Sequence, residues 1–131
     1  MDIKVELSRI IINEESDKQL VVLKEIDGDR GIPIVIGIVE IFAIDRRLKG
    51  IAPMRPMTHD LLNTVIEELG ASIVKVVIND LRDHTFYARL FLAVDDQEIE
   101  IDCRPSDAIA LSVAQNAPIW VADHVLDEAG Q

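Results

Sequence analysis

Apolar and polar positions alternate from the start of the chain: Ile3, Val5 and Leu7 are separated by Lys4 and Glu6. A period of two predicts a half-buried strand over residues 2–12. Polar residues from Asn13 to Asp17 predict a turn, and the more continuously apolar stretch Gln19 to Ile26 predicts a central strand. Asp27-Gly28-Asp29 is a turn signal, followed by a short strand from Ile32 to Ile36. The period then becomes helical. Ile38, Ile41, Phe42, Ile44 and Leu48 share one side of a segment from Gly37 to Lys49, and Gly50 ends it. After a loop from Ile51 to Met57, a second helix runs from Thr58 to Leu69 and stops at Gly70. Strands are predicted over Ser72 to Asn79, Thr85 to Val94 and Glu98 to Asp102. A third helix spans Pro105 to Asn116, a short strand Pro118 to Ala122, and a polar tail frays from Asp123.

This order repeats. Hairpin, short strand and helix occur over residues 2–49 and again over 72–116. Ile32 and Ile34 recur as Ile99 and Ile101, an offset of 67 positions. At the same offset Glu40, Ala43 and Ile44 recur as Asp107, Ala110 and Leu111, while Asn13 recurs as Asn79 at 66. The pattern predicts a duplicated βββα unit. The fold class is α+β, a mainly antiparallel aliphatic sheet covered by three helices. Glu40 and Asp107 are then equivalent acids in the first turns of their helices.

Composition narrows the picture in three ways. Aromatic residues are only 4% of the chain, so the core must be built from Ile, Val and Leu. At 131 residues the chain suits one domain, 1–131, with an ordered core over about 2–127. No apolar run approaches the roughly 18 residues of a membrane span, and the start lacks a signal peptide's apolar centre. A single cysteine, Cys103, excludes an internal disulfide and suits a reducing cytoplasm. It reads as buried filler, because it continues the inward series Ile99, Ile101, Cys103. The net charge of -11 repels phosphate backbones at long range. Nucleic-acid chemistry therefore needs a local basic patch or a divalent cation, whereas a protein or small-ligand partner needs neither. An apolar sheet with few aromatics is expected to self-associate as a homodimer or higher oligomer.

Candidate chemistry concentrates at two helix starts. In the run DCRPSDAIAL, Asp102 closes a strand whose outward series is Glu98, Glu100, Asp102. Arg104 follows, Pro105 suits the first helical position, and Asp107 falls in the first turn, where the helix dipole favours a carboxylate. Ser106 reads as a capping hydroxyl; it has no histidine at a diagnostic spacing that would make it a nucleophile. The second start is Arg55-Pro56-Met57-Thr58-His59-Asp60. Thr58 is a good N-cap, Asp60 sits in the first turn, and His59 adds an imidazole that titrates near neutrality. Capping accounts for each acid taken singly; function requires that they converge. His84, in a hairpin turn, and His124, in the tail, read as solvated. Gly-rich phosphate loops and the common hydrolase and zinc motifs are absent.

RPMTHDLL (Arg55 to Leu62), DCRPSDAIAL (Asp102 to Leu111) with PIWVAD after it, and GIVEIFAI (Gly37 to Ile44) together resemble the bifunctional nuclease domain family. The resemblance covers about residues 2–127 and implies hydrolysis of RNA and DNA with little sequence preference. The matching polar positions are Glu40, Arg55, Thr58, His59, Asp60, Asp102, Arg104, Ser106 and Asp107. Two readings stay open. In the first, Asp102, Asp107 and Glu40 hold Mg²⁺ or Mn²⁺, His59 and Asp60 serve acid–base chemistry, and Arg55, Thr58, Arg104 and Ser106 bind phosphate. In the second, the same residues are caps and contacts of a non-catalytic module that binds a protein or a small anion. Scattering of Asp102, Asp107, Glu40 and His59 over separate faces would contradict the first.

Overall fold

Strands β1 (Asp2–Ile11), β2 (Gln19–Glu25) and β3 (Gly31–Ile36) form a meander that runs into helix α1 (Ile38–Leu48). Helix α2 (Thr58–Glu68) leads to a second meander, β4 (Ala71–Arg82), β5 (Thr85–Val94) and β6 (Gln97–Cys103), which runs into α3 (Pro105–Gln115). Strand β7 (Ile119–Ala122) and helix α4 (Asp123–Ala129) follow. The computed structural model describes residues 1–13, 15 and 18–129. The turn expected from Asn13 to Asp17 falls partly outside them, at positions 14, 16 and 17.

The seven strands among the described residues form one sheet in the order β3-β2-β1-β7-β4-β5-β6. Every pairing is antiparallel except β4 with β7. Since β7 runs against β1 and along β4, the two meanders are reversed with respect to each other across β7. Helices α1 and α3 pack together, so both lie on one face. Reversed meanders with helices on one face are related by an approximate two-fold axis normal to the sheet.

The hydrogen-bonding register repeats as well. In the first meander Leu7 pairs with Leu23, the ladder breaks at Ser8, and Ile10 pairs with Val21. In the second, Ile73 pairs with Leu92, the ladder breaks at Val74, and Val76 pairs with Leu90. Ser8 and Val74 lie at the same spacing as Asn13 and Asn79. A bulge kept at the equivalent place in both halves is a designed bend, not a defect. The duplication read from the sequence is thus present in the backbone. The offset is imperfect because β4 and β5, of 12 and 10 residues, are longer than β1 and β2, of 10 and 7; β4 and β5 are joined by the two-residue turn Asp83-His84, both at positive φ, the geometry of a tight primed hairpin.

The buried residues form one contiguous aliphatic cluster spanning both halves. Val21, Leu23, Ile41, Ile44, Ile78, Ile109 and Leu126 are fully or almost fully enclosed, each such burial being worth roughly 1.5–3 kcal/mol. Two expectations need correction. Asp123–Ala129 is not frayed but forms a fourth helix, because Val125 and Leu126 are completely buried and Arg30 binds both Asp123 and Asp127; the tail's last two positions, 130 and 131, lie outside the described residues. The inward series of β6 is not buried: Ile99 and Ile101 are each 40% exposed, whereas their counterparts Ile32 and Ile34 are 0% and 2% exposed.

Candidate functional site

Helix α1 starts at Gly37, whose backbone is extended and which supplies no capping side chain. Glu40, in its first turn, offers a carboxylate to the free N–H end of the helix. A β-carbon at Gly37 would lie 2.7 Å from Glu40 Oε2, so glycine leaves room for that carboxylate. Helix α3 begins at the equivalent place. Arg104 takes the N-cap position, Pro105 follows, and Asp107 stands in the first turn. Because α1 packs against α3, the two helix starts meet.

Arg104 joins them. Its Nη2 donates to Glu40 Oε1 at 2.9 Å, while Nε and Nη2 donate to Asp107 Oδ2 and Oδ1 at 3.0 and 3.1 Å. A planar guanidinium binds one carboxylate in a fork and the other at its edge. Helix α2 brings the fourth member: His59 Nε2 lies 2.9 Å from Asp107 Oδ1, with the ring mostly buried. Burial pushes the Asp107 carboxyl up, but the hydrogen bonds from His59 and Arg104 outweigh it and hold the group below its ordinary range. Hydrogen bonds to Asp107 and Glu40 raise the Arg104 guanidinium further. Glu40, His59, Arg104 and Asp107, drawn from three helices, therefore form one network.

His59 also faces a cleft of about 190 Å³ between α1, the following loop, α2 and α3. Arg46, Arg47, Met57 and Asp60 share its lining. Asp60 accepts from the Met57 backbone N–H at 2.9 Å and from Arg47 Nη2 at 3.2 Å, so it both closes the start of α2 and anchors an arginine. Arg46 and Arg47 escaped the sequence reading. Their only signal was a basic pair in the last turn of α1, which the helix dipole alone explains.

Other expected residues lie elsewhere. Met57, not Thr58, caps α2, and Thr58 is exposed. Arg55 is exposed in the preceding loop and makes no hydrogen bond or ion pair among the described residues. Ser106 is buried within the first turn of α3, beyond the N-cap, and lines a separate cleft beside Arg104 and His84. Asp102 is exposed on β6 opposite Arg89, on the strand face that carries Glu98 and Glu100. His124 is not simply solvated, because it lies 3.4 Å from Asp80. Cys103 is half-buried; burial first, then Asp102 and Asp107, push its thiol up to about 11. Among the described residues, no group of three or more His, Cys, Asp or Glu side chains is arranged to hold a metal ion. Both oxygens of Asp107 are already engaged by Arg104 and His59, so an Asp102–Asp107 pair does not fit Mg²⁺ or Mn²⁺ here.

Residues 21–131 match the family model of the bifunctional nuclease domain. An uncharacterised protein of Mycobacterium tuberculosis is 39% identical over 97% of this chain and 76% of its own length. Bifunctional nuclease 1 of Oryza sativa subsp. japonica is 27% identical over 84% of this chain. Bifunctional nuclease 2 of the same plant is 29% identical over the same share. The chain spans about a third of each rice protein: 34% of the first and 35% of the second.

Proposed function

The chain belongs to the bifunctional nuclease domain family, and on that premise we propose that it hydrolyses phosphodiester bonds in the cleft that His59 lines. The observation that carries this reading is the 2.9 Å bond from His59 Nε2 to a carboxylate that is itself fixed by Arg104. A histidine held through one nitrogen presents the other, Nδ1, in a defined direction. His59 Nδ1 takes a proton from the attacking water as the new P–O bond forms and gives it to the departing oxygen as the old P–O bond breaks, the work of a general base and then a general acid. Asp107 is a positioning residue: it fixes the ring and stabilises the imidazolium that forms. Arg46 and Arg47 supply positive charge on the cleft wall, where a phosphate gains charge-assisted hydrogen bonds. Arg47 is already paired with Asp60, so Arg46 is the positive charge of this pair left to offset locally the net charge of -11.

The test is hydrolysis of labelled single-stranded RNA and DNA by protein purified over two unrelated columns. Activity should coelute with the protein, survive chelation of divalent cations, and fall in both His59→Ala and Asp107→Asn. Activity that outlasts both substitutions belongs to a contaminant, and the enzymatic reading fails.

One observation favours the second reading, a non-catalytic anion- or protein-binding module. Glu40, Arg104 and Asp107 satisfy one another and tie α1 to α3, as a purely structural clamp would. Homogeneous protein without hydrolytic activity would establish it. Either reading accommodates self-association, supported by Leu61, Leu62, Val65 and Leu69, all exposed on or just after α2, and measurable by sedimentation equilibrium. A lone cysteine suits a reducing, cytoplasmic compartment. No helix among the described residues is long and apolar enough to cross a membrane.

A further inference from the structure

The sheet ends in two edge strands that the duplication makes equivalent, and they are finished differently. β3 carries Pro33, which has no N–H to offer, and its Ile32, Ile34 and Ile36 are covered to within 4% of full burial. A proline is a common way to blunt an edge. β6 has no proline. Among the described residues its outer side pairs with no other strand, and every residue from Gln97 to Asp102 is exposed. Ile99 and Ile101 present 40% of their surface on one face, and Glu98, Glu100 and Asp102 stand on the other.

We propose that β6 is a docking edge that takes an extended segment of a partner protein as an eighth strand, and that this segment alternates basic and apolar residues. Strand addition supplies main-chain hydrogen bonds, and the alternating side chains supply specificity. The apolar residues of the incoming strand complete the cover over Ile99 and Ile101, which β3 already has over its own isoleucines. Its Lys or Arg residues meet the acidic row, where Glu100 has a basic neighbour only at 3.8 Å, Arg89. Charge also argues against a second copy of β6 in this place. Antiparallel pairing of QEIEIDC with itself sets glutamates opposite glutamates or aspartates, and like charges directly opposite destabilise a sheet.

The experiment uses the whole chain and a synthetic amidated peptide, Lys-Val-Lys-Val-Lys-Val-Lys. Binding is followed by calorimetry and by amide hydrogen exchange. The controls are a peptide of the same composition with its lysines in one block, and the variant Glu98→Lys/Glu100→Lys. Alternating peptide should bind and slow exchange at alternate amides of β6, block peptide should not protect them, and the double substitution should weaken binding by about tenfold or more. Equal binding of the two peptides, or protection appearing elsewhere, overturns the proposal. So does a homodimer that already protects β6 and is dispersed by Ile99→Lys/Ile101→Lys, because the edge then belongs to a second copy.

Discussion

The two strand-to-helix junctions started from one plan and now do opposite things. At the first, β3 hands over to α1 through Gly37, and the strand's isoleucines are sealed. At the second, β6 hands over to α3 through Arg104, at the position equivalent to Gly37, and its isoleucines stay open. Arg104 does not serve its own half alone. It reaches across the approximate two-fold axis to Glu40, whose carboxylate occupies the space that Gly37 leaves. One half therefore contributes room and a carboxylate, and the other contributes the guanidinium and the carboxylate that holds His59. Duplication placed two equivalent acids together, and divergence at a single position turned their repulsion into a network.

The contrast between sealed and open edges gives the largest expected effect. Ile34→Ala should cost about 3 kcal/mol, as deletions in closed cores do, and Ile101→Ala about 1 kcal/mol, both read by chemical denaturation. Equal costs would mean that β6 is covered in solution. Next comes the guanidinium. Arg104→Ala leaves Glu40 and Asp107 facing each other and should destabilise by about 1–2 kcal/mol, with Arg104→Lys recovering only part because an ammonium lacks the fork. Gly37→Ala should cost less, under about 1 kcal/mol, acting by displacing Glu40. In a double-mutant cycle its effect should shrink once Arg104 is replaced by alanine; strict additivity would show that Gly37 and Arg104 are unconnected.

Two smaller effects concern protons. Asp107 is held below its ordinary 3.8, so the fold binds fewer protons there than the unfolded chain does. Its contribution is complete above that value and is lost as pH falls through the lower folded one. Acid unfolding monitored by circular dichroism should therefore be less steep in Asp107→Asn than in the parent. Cys103, with a thiol near 11, should react with disulfide reagents at neutral pH far more slowly than a free cysteine and gain speed only in strong alkali. Rapid labelling at neutrality would show that the end of β6 opens.

How much of this was legible beforehand follows from which forces act locally. The strand and helix periods, the glycine stops at Gly50 and Gly70, and the duplication were readable, because each depends on neighbouring residues. The helical tail was missed because Val125 and Leu126 form too short an apolar pair to show a period, and their burial depends on packing against distant strands. Ile99 and Ile101 looked buried because alternation reveals a face, not whether anything covers it. Among the site residues, Glu40, His59, Arg104 and Asp107 were all singled out, and they do meet. Asp102 was drawn in by proximity in sequence, but one step along a strand reverses the face. Arg46 and Arg47 stayed hidden because the cleft they line exists only after three helices assemble.

The central claim is that this meeting of helix starts makes His59 a working acid–base group. The most direct measurement is kcat for cleavage of a fluorogenic phosphodiester by homogeneous protein and by His59→Ala, with unchanged circular dichroism as the control for folding. The account predicts a fall of about 10²-fold or more. A variant within twofold of the parent would contradict it.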